Sequence, residues 1–513
     1  MGSRRGEVHK IFLNLEKQRS NSNTIFSLTS QSGDVIRDPI DILENVRSYF
    51  LDIYREDNSI YSEEASKIFL DERGGNVLEE NDKIILNKEL TLMEISNALK
   101  KSNNNSAPGS DGLPGEVYKV LWKDIQDPLL ECFNHSFETG NLSSSQTAGI
   151  ICLHHKGKGL PRDILNNWRP ISLTNFDYKL LAKSMAIRLN SCLSKCINGD
   201  QYAFIKGRQV SDLLREIENI MQIGKKKFPE SIILSLDYAK AFDTISLSAI
   251  KKALSYFGFD GNFVKWIELL LNGRKSRIQN GGYLSEYFQM ERGVRQGCPI
   301  SPLLFILTLE LLARHIRTND DIKGLQFSER VVKIKLYADD ATLFLRDMID
   351  YREVLSRIKT FSLFSGLCLN KQKSAAMMIA NTEFMNKIKF GIKFFNRVKI
   401  LGIFFSNECC ADEISENYDK RIDQLERVCN LWGKRFLTLI GRITILKSFG
   451  LSLFIYLMQS IGIGEEYLNK INTILYRFIW NPQAKKCKKV IEKVKRETLN
   501  KTYEQGGFEY GRY

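Results

Sequence analysis

No run of 18 apolar residues in this chain is uninterrupted, so no membrane-spanning helix is expected. The nearest approach, Ser448–Gly464, is broken by serines, glycines and a glutamine and reads as a buried helix. Ten cysteines are scattered over 513 residues with no secretory leader. That distribution argues against a disulfide framework and for a reducing intracellular setting. Zinc spacing is missing too. Cys152-Leu153-His154-His155 has no second ligand pair at a usual interval and reads as a strand entering the turn Lys156-Gly157-Lys158-Gly159. Gly2 is followed at position 6 by Gly6 rather than Ser or Thr, which argues against N-myristoylation. Acidic residues are the minority: 60 Asp and Glu against 74 Lys and Arg leave a net charge of +14. Residues 1–100 run the other way, with 13 basic and 18 acidic residues (−5), so the remainder holds +19. Such an excess suits a phosphate backbone as partner, and equally a solvated basic surface. At 43% hydrophobic, a chain this long builds several domains, each with its own core.

Two short stretches carry the chemistry. Ser231–Ile245 (SIILSLDYAKAFDTI) and Lys333–Leu345 (KIKLYADDATLFL) each run an apolar, strand-like segment into aspartate: Asp237 in the first, Asp339 and Asp340 in the second. Alone, an Asp-Asp pair between apolar runs is a solvated hairpin turn. Brought together, three carboxylates form a hard oxygen cage suited to Mg²⁺, the ion that organises phosphoryl transfer. Residues 232–236 read as a buried strand with Asp237 at its C-terminal edge, where open sheets place functional groups. Five residues on stands Phe242. Its ring is either a core aromatic or a block against a ribose 2′-hydroxyl; read from the residue alone, the core is preferred.

Between these stretches lies Arg292-Gly293-Val294-Arg295-Gln296-Gly297-Cys298-Pro299-Ile300-Ser301-Pro302, followed by LLFILTLELLARHIR. Ser301 and Pro302 predict a helix start, with serine at the N-cap and proline at the first helical position. The loop before them brings backbone and Gln296 toward a nucleotide or template base, or serves only as the helix entrance. Upstream stand Ala107-Pro108-Gly109-Ser110-Asp111-Gly112-Leu113-Pro114, Trp168-Arg169-Pro170-Ile171-Ser172-Leu173-Thr174 and Phe204-Ile205-Lys206-Gly207-Arg208-Gln209-Val210-Ser211-Asp212. Downstream follow Gly366-Leu367-Cys368-Leu369-Asn370-Lys371-Gln372-Lys373-Ser374 and Val398-Lys399-Ile400-Leu401-Gly402-Ile403. This ordered set, over roughly residues 100–405, resembles the reverse transcriptases of non-LTR (LINE-type) retrotransposons.

The resemblance implies an α+β right-hand polymerase with fingers, a palm built on an antiparallel sheet packed on helices, and a helical thumb. It implies an RNA-directed DNA polymerase that extends a primer 3′-hydroxyl on an RNA template. Asp237, Asp339 and Asp340 match the metal-binding carboxylates; Asp237 and Asp339 would hold two Mg²⁺ ions (Mn²⁺ as substitute), with Asp340 supporting. Phe242 falls on the steric-gate position, which reverses the preference for core packing. Gln296 and Gly297 would line the nucleotide and template pocket, Arg169 would grip the triphosphate, and Lys373 matches a lysine that assists pyrophosphate departure. Tyr337 and Ala338 would sit beside the primer end. Partners implied are an RNA template, a DNA primer or RNA–DNA hybrid, and dNTPs, with no membrane and an oligomeric state left open. The family's life cycle places such a protein in the nucleus and in cytoplasmic ribonucleoprotein.

Three regions are expected. Residues 1–95, mixed and largely helical, form an N-terminal extension; Phe12–Lys17 with Asp34, Val35, Ile36 and Asp38-Pro39 resemble the family's own. Residues 96–405 make fingers and palm, and 406–513 a helical thumb with a shortened C-terminal segment, helical spacing dominating Ile414–Trp480. Arg435, Arg442 and Lys447 there are candidates for minor-groove and phosphate contacts, or solvated helix faces. Lys485-Lys486-Cys487-Lys488-Lys489, with Lys493, Lys495 and Arg496, contacts template, acts as an import signal or is an exposed face. The family's endonuclease has no room before residue 100, no Cys/His knuckle follows, and the chain stops just after Gly506-Gly507-Phe508. The expectation is therefore a polymerase core that synthesises DNA without autonomous integration. A group II intron-type reverse transcriptase/maturase and a catalytically inactive or domesticated nucleic-acid-binding remnant are the alternatives.

Overall fold

The computed structural model describes residues 23–30, 33–56, 62–70, 77–157, 159–381, 383–384, 386–407, 410–482 and 505, leaving aside the side chains of 410–413. Phe12–Lys17, Lys158, the lysine cluster 485–496 and Gly506–Phe508 lie outside them. The elements that position the site are, in chain order, helices α1 (Pro39–Tyr54), α2 (Leu92–Lys100), α3 (Phe176–Cys196), α4 (Val210–Lys227), α5 (Ser301–Thr318), α6 (Cys410–Gly433), α7 (Leu439–Ile445), α8 (Ser452–Ser460) and α9 (Glu465–Trp480). The strands are β1 (Ala148–His155), β2 (Trp168–Thr174), β3 (Ile232–Leu236), β4 (Lys275–Asn280), β5 (Ile334–Tyr337), β6 (Asp340–Leu345), β7 (Ala375–Met378), β8 (Ile388–Lys389), β9 (Ile392–Phe394), β10 (Arg397–Ile400) and β11 (Ile403–Ser406).

The chain divides into two compact units whose segments interleave along the sequence. One comprises residues 1–205, 238–319 and 354–370. Its sheet runs β2-β1-β4 and on to Tyr283–Leu284, with β1 antiparallel to β2 and parallel to β4. Helix α1 starts where the Asp38-Pro39 pair dictates: Asp38 accepts from Ile40 N and Asp41 N, and Pro39 opens the helix. Its apolar face, Ile42, Val46, Phe50 and Tyr54, joins Ile151, Leu153, Ile278 and Phe288 of the sheet in one core. Thr91 and Glu94 form a capping box on α2. Glu94 also meets Arg188 of α3 at 2.6 Å, and the same guanidinium donates to Leu86, Lys88 and Glu89 carbonyls.

The Ala107–Pro114 motif docks on the start of α3. Asn175 Oδ1 receives Ser110 Oγ and Asp111 N, and Lys179 Nζ reaches Ala107 O. Gly109 is required there, because a Cβ would fall 2.5 Å from the Thr174 carbonyl carbon.

The other unit comprises residues 206–237, 320–353 and 371–513. Its six-stranded sheet has the order β5-β6-β3-β7-β9-β8, antiparallel throughout except for β7 beside β9. Central β3 is flanked on both edges, and Ile232, Ile233, Leu234 and Leu236 are all buried, hence the continuous apolar run instead of an alternating one. Helices α6 to α9 occupy the stretch where helical spacing was expected, and Asn417 of α6 clamps β11 through both Phe404 N and Phe404 O.

Two expectations are corrected. Ser301 is not the N-cap of α5: Ile300 already has helical angles, and Ser301 is the first helical residue with Pro302 next. The Arg295–Cys298 turn and the Ser301 N to Cys298 O bond begin the winding earlier. Of Ser448–Gly464, residues 448–460 are helical, and only one side of that helix is buried. Gly450, Phe454, Leu457 and Ser460 turn inward, whereas Phe449 and Met458 are exposed. Packing comes from one side only, chiefly α4 and α6. Leu439–Ser460 is long and apolar enough for a membrane span by length and composition alone, with 22% of its apolar window buried.

Candidate active site

Strand pairing gathers the carboxylates. Leu236 of β3 faces Ala341 of β6, so one step further along the register Asp237 stands across from Asp340. Tyr337 pairs with Asp340, which leaves Ala338 and Asp339 as the two-residue tip of the β5–β6 hairpin. Ala338 takes a left-handed φ of 56°, a conformation that costs an L-residue about 1 kcal/mol or more and turns the chain tightly beside the acid pair. Asp237 and Asp339 are half-buried and Asp340 keeps an exposed face. Even so, its carboxyl is pushed up to about 6, first by the surrounding protein and then by the negative charges of Asp339 and Asp237. Ser374 Oγ accepts from Asp237 N at 3.1 Å and fixes the strand end. Among the described residues no three carboxylate, thiol or imidazole groups are drawn as close as metal ligands. The donor chemistry, hard carboxylate oxygens on adjoining strands, still fits a divalent cation.

The residues assigned to the nucleotide side lie in the other unit. Phe242 is half-buried and stacks on Phe305 of α5, with centroids 4.7 Å apart and planes at 14°. Gln296 turns its amide nitrogen inward, 3.2 and 3.1 Å from the two oxygens of Asp243. Gly297 is exposed with φ 109°, and a Cβ there would press on Ser172 O at 3.0 Å. Arg169 sits exposed on β2 opposite His154.

Two residues at this site were not singled out from the sequence. Asp243 is buried and accepts from Tyr54 Oη at 2.8 Å as well as from Gln296. Burial pushes its carboxyl up to about 6, against the hydrogen bonds from Tyr54 and Gln296 and the charge of Lys240. Asp243 stood inside the quoted motif, and its acid next to a gate aromatic was the available signal. Tyr54 offered none, since only folding carries the end of α1 across 189 residues of sequence to Asp243.

Of the primer and template candidates, Tyr337 is half-buried at the hairpin. Lys373 is exposed in the turn before β7. Arg435 is exposed and lies over the Trp432 ring at 4.7 Å. Arg442 is half-buried: its Nη1 donates to Ile479 O at 2.6 Å at the end of α9, and its Nε is buried. Its guanidinium ties α7 to α9, as the exposed backbone carbonyls of a helix C-terminus invite.

Residues 155–405 match the family model described as reverse transcriptase (RNA-dependent DNA polymerase). These residues therefore form a reverse transcriptase domain, built of mixed helices and sheets. Over 92% of its length it is 28% identical to the transposon TX1 uncharacterized 149 kDa protein of Xenopus laevis, covering 36% of that protein. It is also 28% identical, over 52% of its length, to the Pol polyprotein of the type-2 retrotransposable element R2DM of Drosophila melanogaster, covering 24% of it. The chain thus spans about a quarter to a third of these relatives. A solved telomerase from Candida albicans, in complex with a fragment of telomeric RNA, has a TM-score of 0.42 at 13% identity, covering 72% of this chain and 67% of that one. These likenesses to transposon and retrotransposable-element proteins support a reverse transcriptase of the non-LTR kind.

Proposed function

We propose that this chain is an RNA-directed DNA polymerase that extends a primer 3′-hydroxyl on an RNA template with dNTPs. The observation that carries the reading is the register placing Asp237 across from Asp340 beside the Ala338-Asp339 tip, within a reverse transcriptase domain. Asp237 and Asp339, with Asp340 in support, would hold divalent cations, Mg²⁺ or Mn²⁺, which would supply activation of the hydroxyl and charge neutralisation of the triphosphate. Burial, and then the charges of Asp339 and Asp237, raise the proton affinity of Asp340, and a bound cation would offset that crowding of negative charge.

The remaining roles follow the side chains. Arg169, exposed on its strand, offers a planar fork to triphosphate oxygens. Phe242, its ring held against Phe305, presents an edge that excludes a 2′-hydroxyl. Gln296 and Gly297 contribute chiefly backbone to the pocket, because the Gln296 amide nitrogen is committed to Asp243. Lys373 serves the departing pyrophosphate, and Tyr337 and Ala338 the primer end. Residues 96–405 act as fingers and palm and 406–513 as thumb, where exposed Arg435 contacts template–primer.

The test is primer extension on an RNA template with dNTPs and Mg²⁺, beside Asp339→Ala. Extension by the parent chain, lost by about 10³-fold or more in the variant, supports the reading. Absent extension with template–primer still bound would instead make the chain a non-catalytic binder.

A further inference from the structure

Helix α1 lies outside the residues that match the reverse transcriptase model, yet its last turn is built into the nucleotide side of the site. Tyr54 closes the helix and is fully buried, stacked between Phe50 and Phe288 with centroids 6.3 and 6.2 Å away. Its hydroxyl donates to Asp243 at 2.8 Å. Its carbonyl accepts from Glu291 N at 3.0 Å and Arg292 N at 3.2 Å, and Arg292 Nε donates to Ile53 O at 2.7 Å. The end of α1 therefore grips the entrance of the loop that carries Gln296.

That loop is fastened in turn to the Phe242 turn. Val294 N donates to Phe242 O and Gly293 N to Ile245 O, both at 2.7 Å. The two backbones are so close at Gly293 that a Cβ would lie 2.8 Å from the Asp243 carbonyl carbon. The Asp243 carboxylate completes the connection, taking the Gln296 amide on both oxygens and the Tyr54 hydroxyl on one. Tyr54 and Gln296 are neutral donors that orient it, and the charges of Lys240 and Lys156 also favour the carboxylate. Burial, and then the Asp243 charge, hold the Tyr54 hydroxyl well above its ordinary range, so it remains a donor.

We propose that Tyr54 and Asp243 are positioning residues for nucleotide selection, holding Phe242 and Gln296 in one fixed relation so that rejection of ribonucleotides depends on a helix of the N-terminal region. The proposal rests on the reading of Phe242 as the gate and of the Gln296 loop as the pocket wall. Neither Tyr54 nor Asp243 touches the nucleotide. Their effect is on placement, and small displacements of a selecting group change rates disproportionately.

The experiment is single-nucleotide incorporation on an RNA template, with a dNTP and the matching rNTP, by the parent chain, Tyr54→Phe, Asp243→Asn and Val46→Ala. Val46 is a fully buried residue two turns earlier in α1 and reports loss of packing alone. Tyr54→Phe is expected to raise KM for the dNTP more than it lowers kcat, and to narrow dNTP-over-rNTP discrimination roughly three- to tenfold. Asp243→Asn, which turns amide N–H toward amide N–H or leaves an oxygen short, narrows it further. Val46→Ala lowers the melting temperature and leaves the ratio at the parent value. Unchanged discrimination in Tyr54→Phe and Asp243→Asn, with losses that only follow melting temperature, would assign the pair to folding and overturn the proposal. Absence of extension by the parent chain would overturn the polymerase reading first, and this one with it.

Discussion

A carboxyl group sealed from water holds its proton to higher pH than in the unfolded chain when burial outweighs its donors and nearby cations. Asp243 is such a group: its ordinary value of 3.8 is pushed up to about 6, chiefly by burial. Its contribution to stability is thus fully present below about 4 and is lost as pH rises through 6. Asp243→Asn should flatten that part of the curve when denaturation is followed from pH 4 to 7; parallel curves would show that the carboxyl does not titrate there. The Phe242 ring, stacked on Phe305 and half-buried, is separable by size. Phe242→Ala should raise ribonucleotide incorporation about ten- to a hundredfold, whereas an unaltered preference with a lower melting temperature returns the ring to a packing role. Arg442 shows how a residue's fate escapes spacing rules. It lies among candidate phosphate contacts in sequence, but the end of α9 claims its guanidinium.

At the scale of elements, two connections hold the first unit's helices in place. Arg188 on α3 is buried at 4% exposure and distributes its donors over Glu94 and three carbonyls between α2 and the preceding helix. Burial pushes Glu94 up, but the hydrogen bonds and charge of Arg188 outweigh it and leave the carboxyl lowered. Arg188→Met should cost about 3 kcal/mol in chemical denaturation, because an acid and three carbonyls lose their donors. Gly109→Ala should cost about 3 kcal/mol, since backbone at Thr174 and Asn175, as well as the Asn175 side chain, meets the new methyl. A stability near the parent value would mean that the Ala107–Pro114 segment docks less tightly than its hydrogen bonds indicate. The sequence marked this segment by resemblance alone; its physical reason, close approach to Asn175, appears only when α3 is in place. Strand β3 and the β5–β6 hairpin were legible directly, through an unbroken apolar run and a two-residue turn between apolar segments.

Across the whole molecule, the basic surplus after residue 100 bears on affinity rather than fold. Template–primer binding should weaken log-linearly with salt, with a slope of roughly −0.7 to −0.9 for each phosphate neutralised; filter binding between 50 and 200 mM salt (about a tenfold loss or more for several contacts) measures it. A flat response would remove phosphate contacts as the main source of affinity. The two units share the assigned residues, with Asp237, Asp339, Asp340 and Lys373 in one and Arg169, Phe242, Gln296 and Gly297 in the other. By itself the sequence determined that a reverse transcriptase domain is present, because an ordered motif set is a local and sequential property. It determined the helical C-terminal stretch as well, through periodicity. Tertiary structure alone decided that Tyr54 donates to Asp243, that Gln296 turns inward and that Arg442 caps a neighbouring helix. Each of these depends on hydrogen-bond partners remote in sequence, and no spacing rule reaches a partner that only folding brings near.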